Sequence, residues 1–340
     1  MIFRRRVRSF LPIVAVALAL LALPTFATEL PDQLPKPDGK APDTRKPLKV
    51  YILSGQSNMC GMGTVETLMP LATKDKRFQY LMDDKGNWTV RNDVFFGTVL
   101  TSERNYAWLT VGVRDRSGKY VGPEVGFGHV MGYYHDETVL IIKAANGNTS
   151  LQHDWLPPTS RKRLNITTPV GLDPNRGWAP RNNRPAGHAY DWFKMEVHKV
   201  LNDLKGHFPD YKGQGYEIAG FCWWQGHKDK GLTKEKYEEL LTEFIKDYRA
   251  EFKAPNAPFV VATVGFTELQ PWQGVFDAQM SISDPAVHPE FAGNVASVDT
   301  RGMGGGGFHY DSNGATYVRV GDAMGRAMVE LIGSSDGSSK

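Results

Sequence analysis

Five short apolar runs, at 48–54, 138–143, 217–224, 259–264 and 295–299, recur along this chain, with segments of helical period between and after them. Each run is rich in Val, Ile or aromatic residues, as expected of strands buried on both faces. Helical patterns cover 124–134, 190–204, 233–252 and 312–331. The clearest is 233–252, where Tyr237, Leu240, Leu241, Phe244, Ile245 and Tyr248 keep an i, i+3, i+4 rhythm. Gly122-Pro123 opens the first helix, and Ser312 is a candidate N-cap for the last. Strands alternating with helices predict an α/β fold, a five-stranded parallel sheet with helices on both faces. Two long irregular regions, about 63–122 and 145–188, interrupt it. Loops of that length in one domain usually carry function, and short strands or a hairpin fit within 78–120.

The ends of the chain read differently. Arg4, Arg5, Arg6 and Arg8 precede an apolar stretch at 10–23, and small residues follow at Thr25 and Ala27. This is the pattern of a secretory leader over 1–27, cut after Ala27, and the stretch is short for a membrane span. An uncleaved anchor is the other reading. Residues 28–47, rich in Pro, Lys and Asp, read as a linker or extended arm, and one domain covers 48–335. The net charge of +3 owes part of its value to the leader arginines, so the remainder is near neutral and does not call for nucleic acid. The expected product is secreted or periplasmic, with no membrane partner after cleavage. Cys60 and Cys222 lack zinc spacing and leave a bridge or two buried thiols, the latter favoured.

Chemistry concentrates where strands end. The run Val50-Tyr51-Ile52-Leu53 leads into Ser54-Gly55-Gln56-Ser57-Asn58-Met59. Parallel sheets place their sites at the carboxyl ends of strands, and Gly55 allows a sharp turn that exposes the Ser57 hydroxyl beside its own amide. The competing reading is a helix cap. A serine nucleophile needs a base. Of nine histidines, His309 follows the run from Gly304 to Gly307 and precedes the last helix, a placement that can deliver a side chain. Asp299 or Asp311 are the acids available to orient it. His129 and His135 fall in a helical pattern and read as surface or packing residues, while His153 and His227 lie in strand-end loops. Two further strand ends offer oxyanion donors, Gly147 beside Asn146 and Gln225 after Trp223-Trp224.

In order, Gly55-Gln56-Ser57-Asn58-Met59, Gly122-Pro123-Glu124, the stretch from Ala145 to Leu151, Trp224-Gln225-Gly226 and a late His309 resemble the SGNH-hydrolase superfamily. Within it, they resemble the sialate O-acetylesterase-like and acetylxylan-esterase-like carbohydrate esterases. The resemblance spans nearly all of 48–331. It implies a three-layer α/β/α sandwich of flavodoxin-like type, with Ser57 as nucleophile and His309 as base. It also implies an oxyanion hole from Ser57, Gly147 and Gln225, and neither metal nor organic cofactor. Two positions depart from the pattern. Gly306 stands where many relatives carry an aspartate, so either Asp299 or another acid orients His309 or the enzyme runs on a dyad, and His227 stands where relatives often have glutamate. Gln56, Asn146, Asn148, Trp155, Trp224 and His227 are the candidate substrate contacts. Trp155, Trp178, Tyr190 and Trp192, beside Asp154, Arg181, Asn182 and Asn183, suit pyranose rings. The expected activity is removal of O-acetyl groups from carbohydrate; the alternative is a glycan-binding protein on the same fold without turnover.

Overall fold

The computed structural model describes residues 30–101, 103–167, 178–180, 183–265 and 269–337. The expected leader lies outside them, as do Arg181 and Asn182. The strands are β1 Leu48–Gly55, β2 Gly63–Thr64, β3 Val94–Leu100, β4 Glu103–Trp108, β5 Tyr120–Val121, β6 Val139–Ala145, β7 Tyr216–Trp224, β8 Phe259–Ala262 and β9 Val295–Val298. The helices are α1 Ser57–Cys60, α2 Met69–Lys74, α3 Glu124–Tyr134, α4 Pro158–Arg163, α5 His188–Asn202, α6 Leu204–His207, α7 Lys234–Glu251, α8 Gln273–Ser281 and α9 Gly314–Gly337.

Seven strands form one sheet in the order β4-β3-β6-β1-β7-β8-β9, and β2 pairs with β5 in a separate ladder. The five expected strands are all present and parallel. The sheet is wider than expected because β3 adds parallel to β6 and β4 turns back antiparallel at the edge. This hairpin falls in the irregular region before residue 120, where strand periodicity is weak. Residues β1 contributes to the sheet centre are buried throughout, from Val50 to Leu53.

Alternation along β7 shows the two covering layers. Phe221 and Trp223 face α7, where they meet Tyr248 and Phe244. Trp224 faces the other layer and meets Tyr317 of α9. On that side α3 and α9 touch backbone to backbone: a Cβ at Gly126 would lie 2.1 Å from the Val318 carbonyl oxygen, and one at Gly321 2.0 Å from that of Pro123. Ser312 does not cap α9; Asn313 Oδ1 accepts from the Ala315 amide at 3.0 Å instead. Residues 30–47 run as an arm along the body, with Leu34 buried and Arg326 donating to the Pro31 and Asp32 carbonyls. No helix among the described residues is long and apolar enough to cross a membrane.

Candidate active site

Register brings three strand ends side by side: Gly55 of β1 pairs with Ala145 of β6 and with Trp224 of β7. Gly55 has φ +153°, and a Cβ there would lie 2.3 Å from the Trp224 carbonyl oxygen, so the turn needs glycine. Its flanks are tied down, Gln56 N–H donating to Trp224 O at 3.2 Å and Asn146 N–H to Gly55 O at 3.3 Å. Ser57 then begins the four-residue helix α1.

A cleft of about 500 Å³ opens over these ends, lined among others by Ser57, Gln56, Gly147, Asn148, His227 and His309. Ser57 is 8% exposed, and its Oγ accepts from Gln56 Nε2 at 3.4 Å. Gly147 lies alongside, close enough that a Cβ on it would sit 3.9 Å from Ser57 Cβ. Among the described residues neither the Ser57 nor the Gly147 amide has a protein acceptor, which leaves both available to an anion. Asn146 also lines the cleft, its carboxamide accepting from Thr101 and donating to Gly147 O.

His309 reaches the cleft from an unusual turn. His309, Tyr310, Asp311 and Ser312 all have φ between 50° and 55°, a left-handed conformation that costs L-residues about 1–2 kcal/mol each. Neighbouring contacts hold it: the buried Tyr310 hydroxyl accepts from the Gly265 amide at 3.1 Å, and Tyr317 Oη donates to His309 O at 3.2 Å. Burial, and then the nearby His227, hold the His309 imidazole below its ordinary pKa, so it is neutral in neutral solution.

Six expected residues, Asp299, Gln225, Trp155, Trp224, Tyr190 and Trp192, are engaged elsewhere in the structure. Asp299 does not orient His309: its carboxylate is engaged by Arg301 through the backbone amide, Nε and Nη2. Among the described residues no carboxylate hydrogen-bonds His309, and Asp311 accepts from Gly307 instead. Gln225 is not aimed into the cleft. Its Nε2 donates to Gln56 Oε1, Thr149 O and Asp229 Oδ2, and its Oε1 accepts from Tyr237. Trp155 and Trp224 are 0% and 1% exposed and belong to the core. Trp155 stacks on Phe193, and the Trp224 ring N–H is spent on Thr263 O, so neither offers a face to a ligand. Tyr190 and Trp192 are buried likewise.

Other residues line the cleft in their place. Phe308, 65% exposed, stands beside His309 and against His227, which stacks on Trp272. Arg114 and Leu100 wall the cleft from the irregular region and its hairpin, and no motif announces them. Cys60 also lines it, but Cys60 and Cys222 are free and buried, and burial pushes the Cys60 thiol up to about 11. Such a thiol is a poor nucleophile. Among the described residues no group of three or more His, Cys, Asp or Glu side chains could hold a metal ion.

A mostly parallel central sheet flanked by helices, with a serine, a histidine and two amides at one strand-end cleft, defines a protein of the α/β/α sandwich class. The chain belongs to the family described as carbohydrate esterase, sialic acid-specific acetylesterase, which matches residues 47–330. Its members are carboxylic ester hydrolases. The fold is similar to that of an Arabidopsis thaliana protein, at 17% identity and TM-score 0.51, over 83% of this chain and 98% of that one. A carbohydrate acetylesterase from Xanthomonas citri matches at 15% identity and TM-score 0.49, over 82% of this chain and 55% of that one. A family-two carbohydrate esterase with a carbohydrate-binding domain, from Myceliophthora fergusii, matches at 13% and 0.43, over 87% and 69%. No curated protein matches the chain.

Proposed function

We propose that this protein is an exported serine esterase that removes O-acetyl groups from carbohydrate through an acyl-enzyme formed on Ser57. Family membership supports the ester chemistry and the acetylated carbohydrate. The observation that carries the mechanism is the meeting of Ser57, His309 and two unpartnered amides in one cleft. His309 takes the Ser57 proton as Oγ attacks the acetyl carbonyl. The Ser57 and Gly147 amides hold the oxyanion, each such donor being worth about 3–4 kcal/mol of barrier. Collapse expels the sugar alcohol, which leaves with the proton from His309. Water then repeats the sequence and releases acetate. Ser57 and His309 share no hydrogen bond in the free protein; catalytic contacts often tighten only with substrate bound. With Asp299 paired to Arg301, the assigned machinery is a Ser–His dyad. The exposed Phe308 is the aromatic face best placed to lie against a sugar ring.

Hydrolysis of p-nitrophenyl acetate and acetylated xylan by wild type and Ser57→Ala tests the reading. Activity in the first and none in the second is expected; equal activity, or inertness of both on every acetylated glycan, overturns it. The bare imidazole of His309 favours one alternative, a glycan-binding protein without turnover, which would bind acetylated xylan yet release no acetate. Export rests on the basic and apolar leader pattern. An intact mass beginning after Ala27 in protein recovered outside the cytoplasm is the expected result.

A further inference from the structure

Lys143 and Glu124 are wholly buried and their side chains meet at 2.6 Å. Neither lines the cleft. Swapping a buried ion pair for apolar residues is often neutral or stabilising, so stability alone is a weak reason for one here. Its bonds lead to the reacting groups. Lys143 lies on β6, the strand that delivers Gly147 four residues later. Its ammonium also donates to Cys60 O at 2.9 Å, and Cys60 ends the short helix that Ser57 begins. Glu124 Oε1 accepts from the Gly122 amide at 3.1 Å. Gly122 in turn packs against Gly61, where a Cβ would lie 2.5 Å from Gly122 Cα.

We infer that the Glu124–Lys143 pair is a positioning device for the oxyanion hole, a brace that fixes the Ser57 turn relative to the strand carrying Gly147. The inference rests on the serine-esterase reading above. One end of the turn is held to β6 and β7 by backbone bonds at Gly55 and Gln56. The Lys143 bond to Cys60 O holds the other end, so the two amides keep one separation. Glu124 keeps the ammonium in place and anchors the Gly61–Gly122 contact. Both are positioning residues, acting through Ser57 and Gly147.

The test compares wild type with Glu124→Leu/Lys143→Met, which removes both charges together, and with Lys143→Arg, which keeps the charge and moves the donor. For the double variant, melting near the wild-type temperature, KM for p-nitrophenyl acetate within about twofold and kcat lower by about 10- to 100-fold are expected. The rate of covalent labelling by an aryl phosphonate, which uses the same oxyanion donors, should fall in parallel. Lys143→Arg should lose kcat with its melting unchanged, which keeps the inference testable if the double variant does not fold. Wild-type kcat in either folded variant overturns the inference, as does a loss confined to KM. If wild type and Ser57→Ala are equally active or equally inert, the esterase reading fails and this inference fails with it; a Ser57-dependent wild type with an unaffected double variant overturns the inference alone.

Discussion

The Gln225 carboxamide donates to the Asp229 carboxylate at 2.6 Å, beneath the cleft. Asp229 also receives the Leu151 and Gln152 amides, so this pair ties the loop after β6 to the loop after β7. Burial wins over those donors and raises Asp229 to about 6. Gln225 is therefore a structural bond centre. Gln225→Ala leaves Asp229, Thr149 O and Tyr237 short of partners and should cost about 2–4 kcal/mol, read as a lower urea midpoint.

Asp299 and His309 separate cleanly by mutation. Asp299 is already held by Arg301. Asp299→Asn should change kcat/KM by less than about threefold, whereas His309→Ala removes the proposed base and should cost about 10²- to 10⁴-fold. Steady-state rates on p-nitrophenyl acetate distinguish the two.

The acid limb of activity follows from the same histidine. Burial, then His227, lower the His309 pKa, and in the proposed mechanism the neutral imidazole is the active form. The acid limb of kcat/KM should therefore lie at lower pH than an ordinary histidine would give. His227→Gln removes the second cause and should move the limb upward; a pH–rate profile of each variant checks this.

Acid should also unfold the protein through buried imidazoles. Burial, opposed by Glu137, brings His135 down to about 4, and burial also holds His129 well below its ordinary value, both of its ring nitrogens lacking partners among the described residues. A depressed histidine is protonated first in the unfolded chain, so stability falls as pH drops from about 6.5 towards 4. His135 alone accounts for roughly 3 kcal/mol across that window. His135→Gln keeps a partner for the Tyr51 hydroxyl, bound at 2.8 Å, and should flatten the profile in urea titrations between pH 7.5 and 4.5.

Much of the scaffold was legible because its strands are apolar runs and α7 keeps helical period. The hairpin β3–β4 was not: β4 reads Glu103-Arg104-Asn105-Tyr106-Ala107-Trp108, an edge strand half open to solvent. The placement of Ser57 and Gly147 at strand ends lining one cleft was readable because a glycine turn after a buried strand has few uses. Roles that depend on side-chain direction were not readable. Trp224 sits one residue from Gln225 and two from Gly226 and His227 begins just beyond, yet the first two face inward and His227 faces the cleft. Asp299 looked available only because its local partner two residues on, Arg301, carries no signature of pairing.

The contact of Gly55 with the Trp224 carbonyl divides the site by how freely it can change over generations. The serine is set by sheet backbone, so substitutions around the rim leave it where it is, and residues such as Phe308 or Trp272 can drift towards new sugars. The histidine has no such shelter. Its four left-handed residues lean on the side chains of Tyr310 and Tyr317 and on the Gly265 amide. Lineages that abandon catalysis should therefore lose the shape of the histidine turn first and keep the serine turn longest, as a relic still cupped for an anion.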